Sequence, residues 1–253
     1  MATPTALAAP AGTSFLSTRR GKEMLFFLCM VGFLDFVDAS IVNVALPSIR
    51  QDLHFSLPSL QWVLSAYLLT YGGFMLLGGR AADLLGRRRV LVAGIIVFAL
   101  SSLTGGIAQN SAMLVAARLV QGLGAAMMVP AALSILTTTF TDGRDRNTAI
   151  GAWGGVAGLA SAVGVFLGGV LSEEASWRWV FWVNLPVSAV LLFATFRMVD
   201  GDRDRSRTRS FDSLGALFVT AGMLLLVFAL VKARHRAGAA AARSASLPAP
   251  HCS

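Results

Sequence analysis

Cysteine, histidine and charge are all scarce in this chain of 253 residues. It has 2 cysteines, Cys29 and Cys252, which excludes a disulfide scaffold. Its 3 histidines, His54, His235 and His251, lie far apart, so we expect no histidine-based metal or catalytic site. Charged residues make up 13% of the chain, about half the roughly 25% that soluble domains carry. That is too little charge to cover a water-exposed globule.

Nucleotide-binding signatures are also missing. The chain has no P-loop sequence, and the glycine pair at 122 and 124 lies inside an apolar run with no strand before it. We therefore expect no enzyme, no cofactor, no metal and no ATP-driven transport. The net charge of +8 could indicate a nucleic-acid partner, but the positions of the basic residues argue against one.

What the chain does have is long apolar segments, since 55% of its residues are hydrophobic. A helix of about 20 apolar residues crosses a hydrocarbon core about 30 Å thick. Seven segments reach that length: 24–46, 60–79, 90–109, 112–136, 147–171, 178–198 and 212–232. The sequence therefore predicts an all-α, polytopic transmembrane helix bundle. The first segment contains two acids and no signal-peptide cleavage site, so we interpret it as a span.

Basic residues indicate how the spans are oriented. Arginines and lysines concentrate at 19–22, 80–89, 144–146 and 197–209, whereas the alternate loops hold only Arg50 and Arg178. Because basic loops stay in the cytoplasm, this pattern predicts a cytoplasmic N-terminus. We expect a multi-pass protein of the plasma membrane.

The chain divides on this basis into five regions. They are a cytoplasmic N-terminal tail (1–23), a six-helix unit (24–198), a basic cytoplasmic loop (199–211), a seventh transmembrane helix (212–232) and a disordered tail (233–253). A seventh span would place the basic residues after Lys232 outside the cell, against the rule that orients the other spans. We therefore expect a shortened chain, or one whose reading frame is lost near Lys232.

Two acids stand out in the first span. Asp35 and Asp38 are three residues apart and so share a helix face. An acid near the bilayer centre is costly, so each should face a polar cavity or a partner, and each is a candidate for binding a proton or a cation. The structural alternative is an acid bonded to Ser40, Asn43 or Arg118.

A buried cation is predicted in the fourth span. Arg118 lies about one turn into it, and Gln121 shares its helix face. An always-charged guanidinium there could respond to the protonation of an aspartate. The alternative is an Arg118 whose side chain reaches the membrane interface.

Residues 79–89 form the predicted loop between the second and third spans. Gly79 would let helices approach closely, Gly86 would allow a tight turn, and Asp83 could pair with an arginine. The arginines Arg87, Arg88 and Arg89 would hold this connection in the cytoplasm. Its simplest role is a topology anchor.

Glycines are dense in the fifth span. Small residues four apart pack membrane helices tightly, and a flexible hinge is the alternative use. The candidate packing or hinge positions are Gly158, Gly164, Gly168 and Gly169.

Five motifs, in this order, resemble those of the major facilitator superfamily, and specifically its fourteen-helix drug:proton antiporters (EmrB/QacA type). The matching stretches are LDFVDASIVNVALP (34–47), GRAADLLGRRR (79–89), RLVQGLGAA (118–126), WRWVFWVNLP (177–186) and FDSLG (211–215). One departure is Val165, which stands where the antiporter motif of the fifth helix has proline.

The resemblance implies the N-terminal six-helix half of a major facilitator fold plus a seventh helix. It also implies proton-coupled efflux of drugs or other amphipathic or cationic molecules. It points to Asp38 for proton coupling, to Arg118 for proton transfer and to residues 79–89 as a cytoplasmic gate. About half of the family's helices are absent, so the partners expected are protons, a small-molecule substrate, lipid, and a missing C-terminal half or second copy. The alternatives are a non-transporting fragment and a half-transporter that works with a second chain.

Overall fold

The computed structural model describes residues 14–199 together with Gly201, Gly222 and Leu225. These residues form one short 3₁₀ helix, Phe15–Ser17, and seven α-helices, with no strand among them. The helices are α1 (Arg19–Asp52), α2 (Leu57–Leu85), α3 (Arg87–Gly106), α4 (Ser111–Thr139), α5 (Gly143–Glu174), α6 (Trp179–Trp182) and α7 (Asn184–Met198). The prediction of an all-α bundle is confirmed.

Six candidate membrane spans lie within this range. The first five are α1 to α5, and α6 with α7 makes the sixth, all judged by length and apolar composition. The expected seventh span (212–232), the basic loop (199–211) and the disordered tail (233–253) lie almost entirely outside the described residues. The boundaries of the five regions stay predictions.

Helix ends follow local capping chemistry. Asn110 accepts a hydrogen bond from the Met113 amide at 2.8 Å, which satisfies a free N–H in the first turn of α4. Ser56 does the same for α2 through the Ser59 amide. Pro47, at which the first span was expected to stop, lies inside α1, which continues to Asp52. A proline removes one backbone hydrogen bond, and here the helix continues past it.

The sixth span differs from the single helix expected over 178–198. It is broken at Val183 into a one-turn helix, α6, and a longer helix, α7. Pro186 has no amide hydrogen, so the carbonyl four residues earlier, on Trp182, loses its usual helical donor. The break places Asn184 at the first position of α7.

Close helix packing surrounds α4. A Cβ atom added at Gly124 would lie 2.6 Å from the Phe98 backbone nitrogen, and one at Gly94 would lie 2.7 Å from that of Met128. No side chain fits at either separation, so glycine allows α3 and α4 to approach this closely. This packing brings polar groups on several helices within hydrogen-bonding range of one another.

Candidate functional site

A buried ion pair joins α1 to α4. The Nη1 atom of Arg118 lies 2.6 Å from the Oδ2 atom of Asp38, and both side chains are 0% exposed. A guanidinium taken out of water requires a neutralising partner. The alternative in which Arg118 reaches the membrane interface is therefore wrong for this structure.

Two amides complete the contacts of the Asp38 carboxylate. The Nε2 atom of Gln121 and the Nδ2 atom of Asn184 each donate to Asp38 Oδ1 at 2.7 Å. Both amides also donate to the Ser102 hydroxyl, at 2.8 Å and 3.3 Å. The carboxylate is thus held by buried donors of α4 and α7, and Ser102 of α3 in turn accepts from both amides.

The Arg118 guanidinium has three further neighbours. It donates from Nη1 to Gln121 Oε1 at 2.8 Å and from Nε to the Val63 carbonyl at 3.2 Å. Its Cζ atom lies 4.2 Å from the centre of the Tyr67 ring, a cation–π contact. Its Nη2 atom is buried without a hydrogen-bond partner among the described residues.

Asp35 has different surroundings from Asp38. Its Oδ1 atom accepts a short hydrogen bond from the Tyr67 hydroxyl on α2. The Tyr71 hydroxyl also faces this carboxyl, and the two tyrosine rings are 5.8 Å apart. Asp35 is buried, and within residues 14–199 no lysine or arginine forms an ion pair with it.

The structure thus brings together four predicted site residues, Asp35, Asp38, Arg118 and Gln121. It adds three that the sequence reasoning missed: Tyr67, Ser102 and Asn184. Each of the three is a polar residue in an apolar span, and polar residues inside membranes are usually functional. We refer to these seven residues as the polar cluster.

The structural alternative for Asp38 is right about one of its three partners. Arg118 binds Asp38 directly. Ser40 instead donates to the Ser161 carbonyl on α5 at 2.9 Å, and Asn43 is exposed.

Residues 79–89 are almost entirely helical, not a loop. The helical part of α2 runs to Leu85 and α3 begins at Arg87, so Gly86 alone separates them. Gly86 has φ 102°, a left-handed conformation that favours glycine. The turn is therefore as tight as the sequence predicts.

The arginines at this turn reach three other helices. Arg87 donates to the Thr138 hydroxyl of α4 at 2.6 Å and lies 3.5 Å from Asp83 of α2. Arg88 donates to the Phe196 carbonyl of α7 at 3.2 Å. The turn therefore ties together the ends of α2, α4 and α7 on one side of the bundle.

The close helix approach expected at Gly79 is found at Gly78 instead. A Cβ atom at Gly79 would lie 3.6 Å from Pro130, an ordinary contact, whereas one at Gly78 would overlap the Ala126 carbonyl oxygen. One residue of helix turns a side chain by about 100°, which moves the tight contact off the expected position.

The glycines of α5 separate into two kinds. Cβ atoms at Gly164 and Gly168 would lie 2.6 Å and 2.9 Å from side chains of α1. A Cβ atom added at Gly158 or Gly169 would have no described atom outside the local helix within 4 Å. The packing prediction thus fits two of the four positions.

Comparison with known proteins identifies the family. The model of the Major Facilitator Superfamily matches residues 28–248, most of the chain. This chain belongs to the major facilitator superfamily. Its membership confirms the resemblance drawn from the five motifs, and the six apolar helices among its described residues are those of a multi-pass membrane protein.

The curated relatives of this superfamily member include antibiotic resistance and export proteins. The puromycin resistance protein pur8 of Streptomyces alboniger is 43% identical over 78% of the chain and 39% of its own length. The cephamycin export protein CmcT of Amycolatopsis lactamdurans is 44% identical over 83% of the chain and 43% of its own length. The chain spans about two-fifths of the length of these relatives.

Solved transporters share the fold. A D-xylose–proton symporter superposes with a TM-score of 0.58 at 12% identity, covering 70% of this chain and 48% of its own. A peptide transporter (the E310Q mutant in complex with sulfate) superposes with a TM-score of 0.65 at 14% identity, covering 81% and 45%. At such low identity these matches show the fold alone, which agrees with the predicted helix bundle.

Proposed function

We propose that this superfamily member functions in proton-coupled export of drugs or other amphipathic or cationic small molecules across the plasma membrane. The observation that supports it most is the buried Asp38–Arg118 pair, set in a polar cluster in the middle of the bundle. Burying two charges is costly, and such groups inside membranes commonly mark ion or proton pathways. Relatives named for puromycin resistance and cephamycin export support the choice of substrate class.

Coupling needs a site whose contacts depend on protonation. The polar cluster contains two acids and one permanent cation, so adding or removing one proton changes its net charge. A change of charge in a dry site alters which helix arrangement is favoured, and rocking between two such arrangements is how transporters of this kind alternate access. No cofactor is needed, because the proton gradient supplies the free energy.

A transport path also needs a second half of the protein, opposite the six described spans. Such transporters bind substrate between two repeat-built halves, and the six spans described correspond to one of them. We propose that the other half is supplied by a C-terminal half or by a second copy of the chain. The turn at Gly86 would act as a cytoplasmic gate, because its arginines already hold α2, α4 and α7 together.

Export of a fluorescent cationic dye tests this proposal. The 253-residue chain is expressed in bacteria that lack their own major efflux pumps, and dye accumulation is measured with and without a protonophore. We expect lower accumulation, restored by the protonophore, and loss of this effect in Asp38→Asn. The matched control is Glu23→Gln, which changes an exposed acid of the same helix.

Two outcomes would count against the proposal. Asp38→Asn cells that still export dye against its gradient would remove Asp38 from the coupling site. Chains that insert in the membrane but export nothing, alone or co-expressed with a relative's C-terminal half, would favour a non-transporting fragment. Measuring the mass of the purified chain in nanodiscs separates a dimer from a monomer, and so tests pairing with a second copy.

A further inference from the structure

We propose that Asp35 is the residue that takes up and releases the proton, whereas Asp38 stays ionised as the permanent partner of Arg118. This inference rests on the proposed proton-coupled function and assigns the proton within its site. The motif resemblance points to Asp38, but the contacts of the two carboxyls differ in a way that reverses this choice.

Among the described residues, every group that binds the Asp38 carboxylate is a donor. Arg118 has only N–H groups and cannot accept a hydrogen bond. The Oε1 atom of Gln121 accepts from Arg118, so its Nε2 amide is the end that faces Asp38. Asn184 donates through its amide nitrogen as well. A proton on Asp38 would meet these N–H groups and leave a buried guanidinium without its counter-charge.

The groups that face Asp35 are of a different type. Tyr67 donates to Asp35, and the Tyr71 hydroxyl faces the same carboxyl. A hydroxyl donates to a carboxylate and, after rotating, accepts from a carboxylic acid. Asp35 can therefore gain a proton and donate it to one of these hydroxyls, or lose it and accept from them.

The charges around Asp35 support the same assignment. The charged and titratable groups near it are Asp38 on its own helix, Tyr67 and Tyr71 on α2, and Arg118 on α4. The Asp38 and Arg118 charges cancel, so an ionised Asp35 is the excess charge of a buried cluster. A proton on Asp35 makes the cluster neutral, whereas a proton on Asp38 would leave Asp35 and Arg118 as separated charges.

Tyr67 connects the protonation of Asp35 to the ion pair. Its hydroxyl binds Asp35, while its ring lies 4.2 Å from the Arg118 guanidinium carbon. Protonation of Asp35 therefore reorients the hydroxyl of a tyrosine whose ring contacts Arg118. Tyr67 on α2 thus links the protonation of Asp35 on α1 to Arg118 on α4, and Asp38 keeps its ion pair throughout.

Infrared difference spectroscopy tests the assignment on the 253-residue chain in lipid bilayers. Spectra taken from alkaline to acidic pH report the carboxylic C=O stretch of a buried acid as it gains a proton. We expect one such band in the wild-type chain, its loss in Asp35→Asn, and a shifted band in Tyr67→Phe, because the hydrogen-bond partner is gone. Glu23→Gln, which changes an exposed acid on the same helix, is the control and should retain the band.

Two results would overturn the assignment: no titrating band in the wild-type chain, or a band that survives Asp35→Asn. If Asp35→Asn does not fold, the Tyr67→Phe spectrum still decides, because an unshifted band would overturn the assignment.

Failure of this inference can be told apart from failure of the proposed function. Protonophore-sensitive export that persists in Asp35→Asn would overturn the inference and leave the function standing. A titrating band lost in Asp35→Asn, in a chain that exports nothing, would support Asp35 as the proton-binding acid and contradict the function.

Discussion

At the scale of single residues, the polar cluster depends on mutual satisfaction of buried groups. Asn184 is the one residue of α7 that donates to Asp38, so no other side chain of that helix replaces it. A buried acceptor that loses a donor bears the desolvation cost of that bond. Removing either amide of the cluster should therefore lower the free energy of unfolding.

The first prediction concerns Asn184. We expect Asn184→Ala to lower the free energy of unfolding by about 1–3 kcal/mol, since Asp38 and Ser102 each lose a donor. The measurement is the thermal or denaturant unfolding of the purified chain in detergent. Asn43→Ala, which truncates an exposed amide on α1, should change stability by less than about 0.5 kcal/mol. Equal effects of the two substitutions would contradict the role given to Asn184.

At the scale of helices, α5 presents two different faces. Gly164 and Gly168 pack against α1, and Cβ atoms there would lie 2.6 Å and 2.9 Å from its side chains. Large apolar side chains elsewhere on α5, including Leu159 and Phe166, are 62% and 69% exposed. One face of α5 therefore packs against α1, and the other is available to lipid or to another protein surface.

A pair of alanine substitutions tests this division of α5. Gly164→Ala should destabilise the chain by about 1–3 kcal/mol, because the added methyl group meets Ser40 and the Val37 carbonyl oxygen. Gly158→Ala should be neutral or stabilising by up to about 1 kcal/mol, because alanine is the better helix former and nothing described lies near. Unfolding in detergent measures both. Destabilisation by Gly158→Ala instead would show that this face is packed.

At the scale of the whole molecule, contacts of charged side chains join separate segments at each end of the bundle. At one end, Arg178 lies 2.7 Å from Asp52 and also donates to the Ala108 carbonyl at 3.2 Å. At the other end, Asp145 accepts from the Ser14 hydroxyl at 2.6 Å and from the Leu16 amide at 3.0 Å. The basic segments cluster at this second end, which we predict to be cytoplasmic.

Thiol labelling in intact cells tests that orientation. In a Cys252→Ser background, a membrane-impermeant reagent should label Gln51→Cys and should leave Ser17→Cys unlabelled until the cells are opened. Both positions are exposed, so the difference reports the side of the membrane and not burial. The native Cys29 is buried and serves as the background. The reverse pattern of labelling would contradict a cytoplasmic N-terminus.

Much of this protein was predictable from its amino-acid pattern. Six spans of about 20 apolar residues require helices, since only helices or closed barrels satisfy their backbone groups in lipid. The candidate acids Asp35 and Asp38, with Arg118 and Gln121, were visible as polar residues in apolar spans. Spacing alone could not show that Asn184 and Ser102 complete the site, because they lie far from Asp38 in the chain.

The sequence by itself determined the class of fold, the number of described spans and the family, because hydrophobic length and motif order are properties of the chain. The tertiary structure decided which partner each polar group has. It separated Asp38, enclosed by N–H donors, from Asp35, faced by hydroxyl groups. It also decided which glycines pack, at Gly78 and Gly164 but not at Gly79 and Gly158. These outcomes depend on how neighbouring helices are rotated and displaced, and a linear pattern carries no record of that geometry.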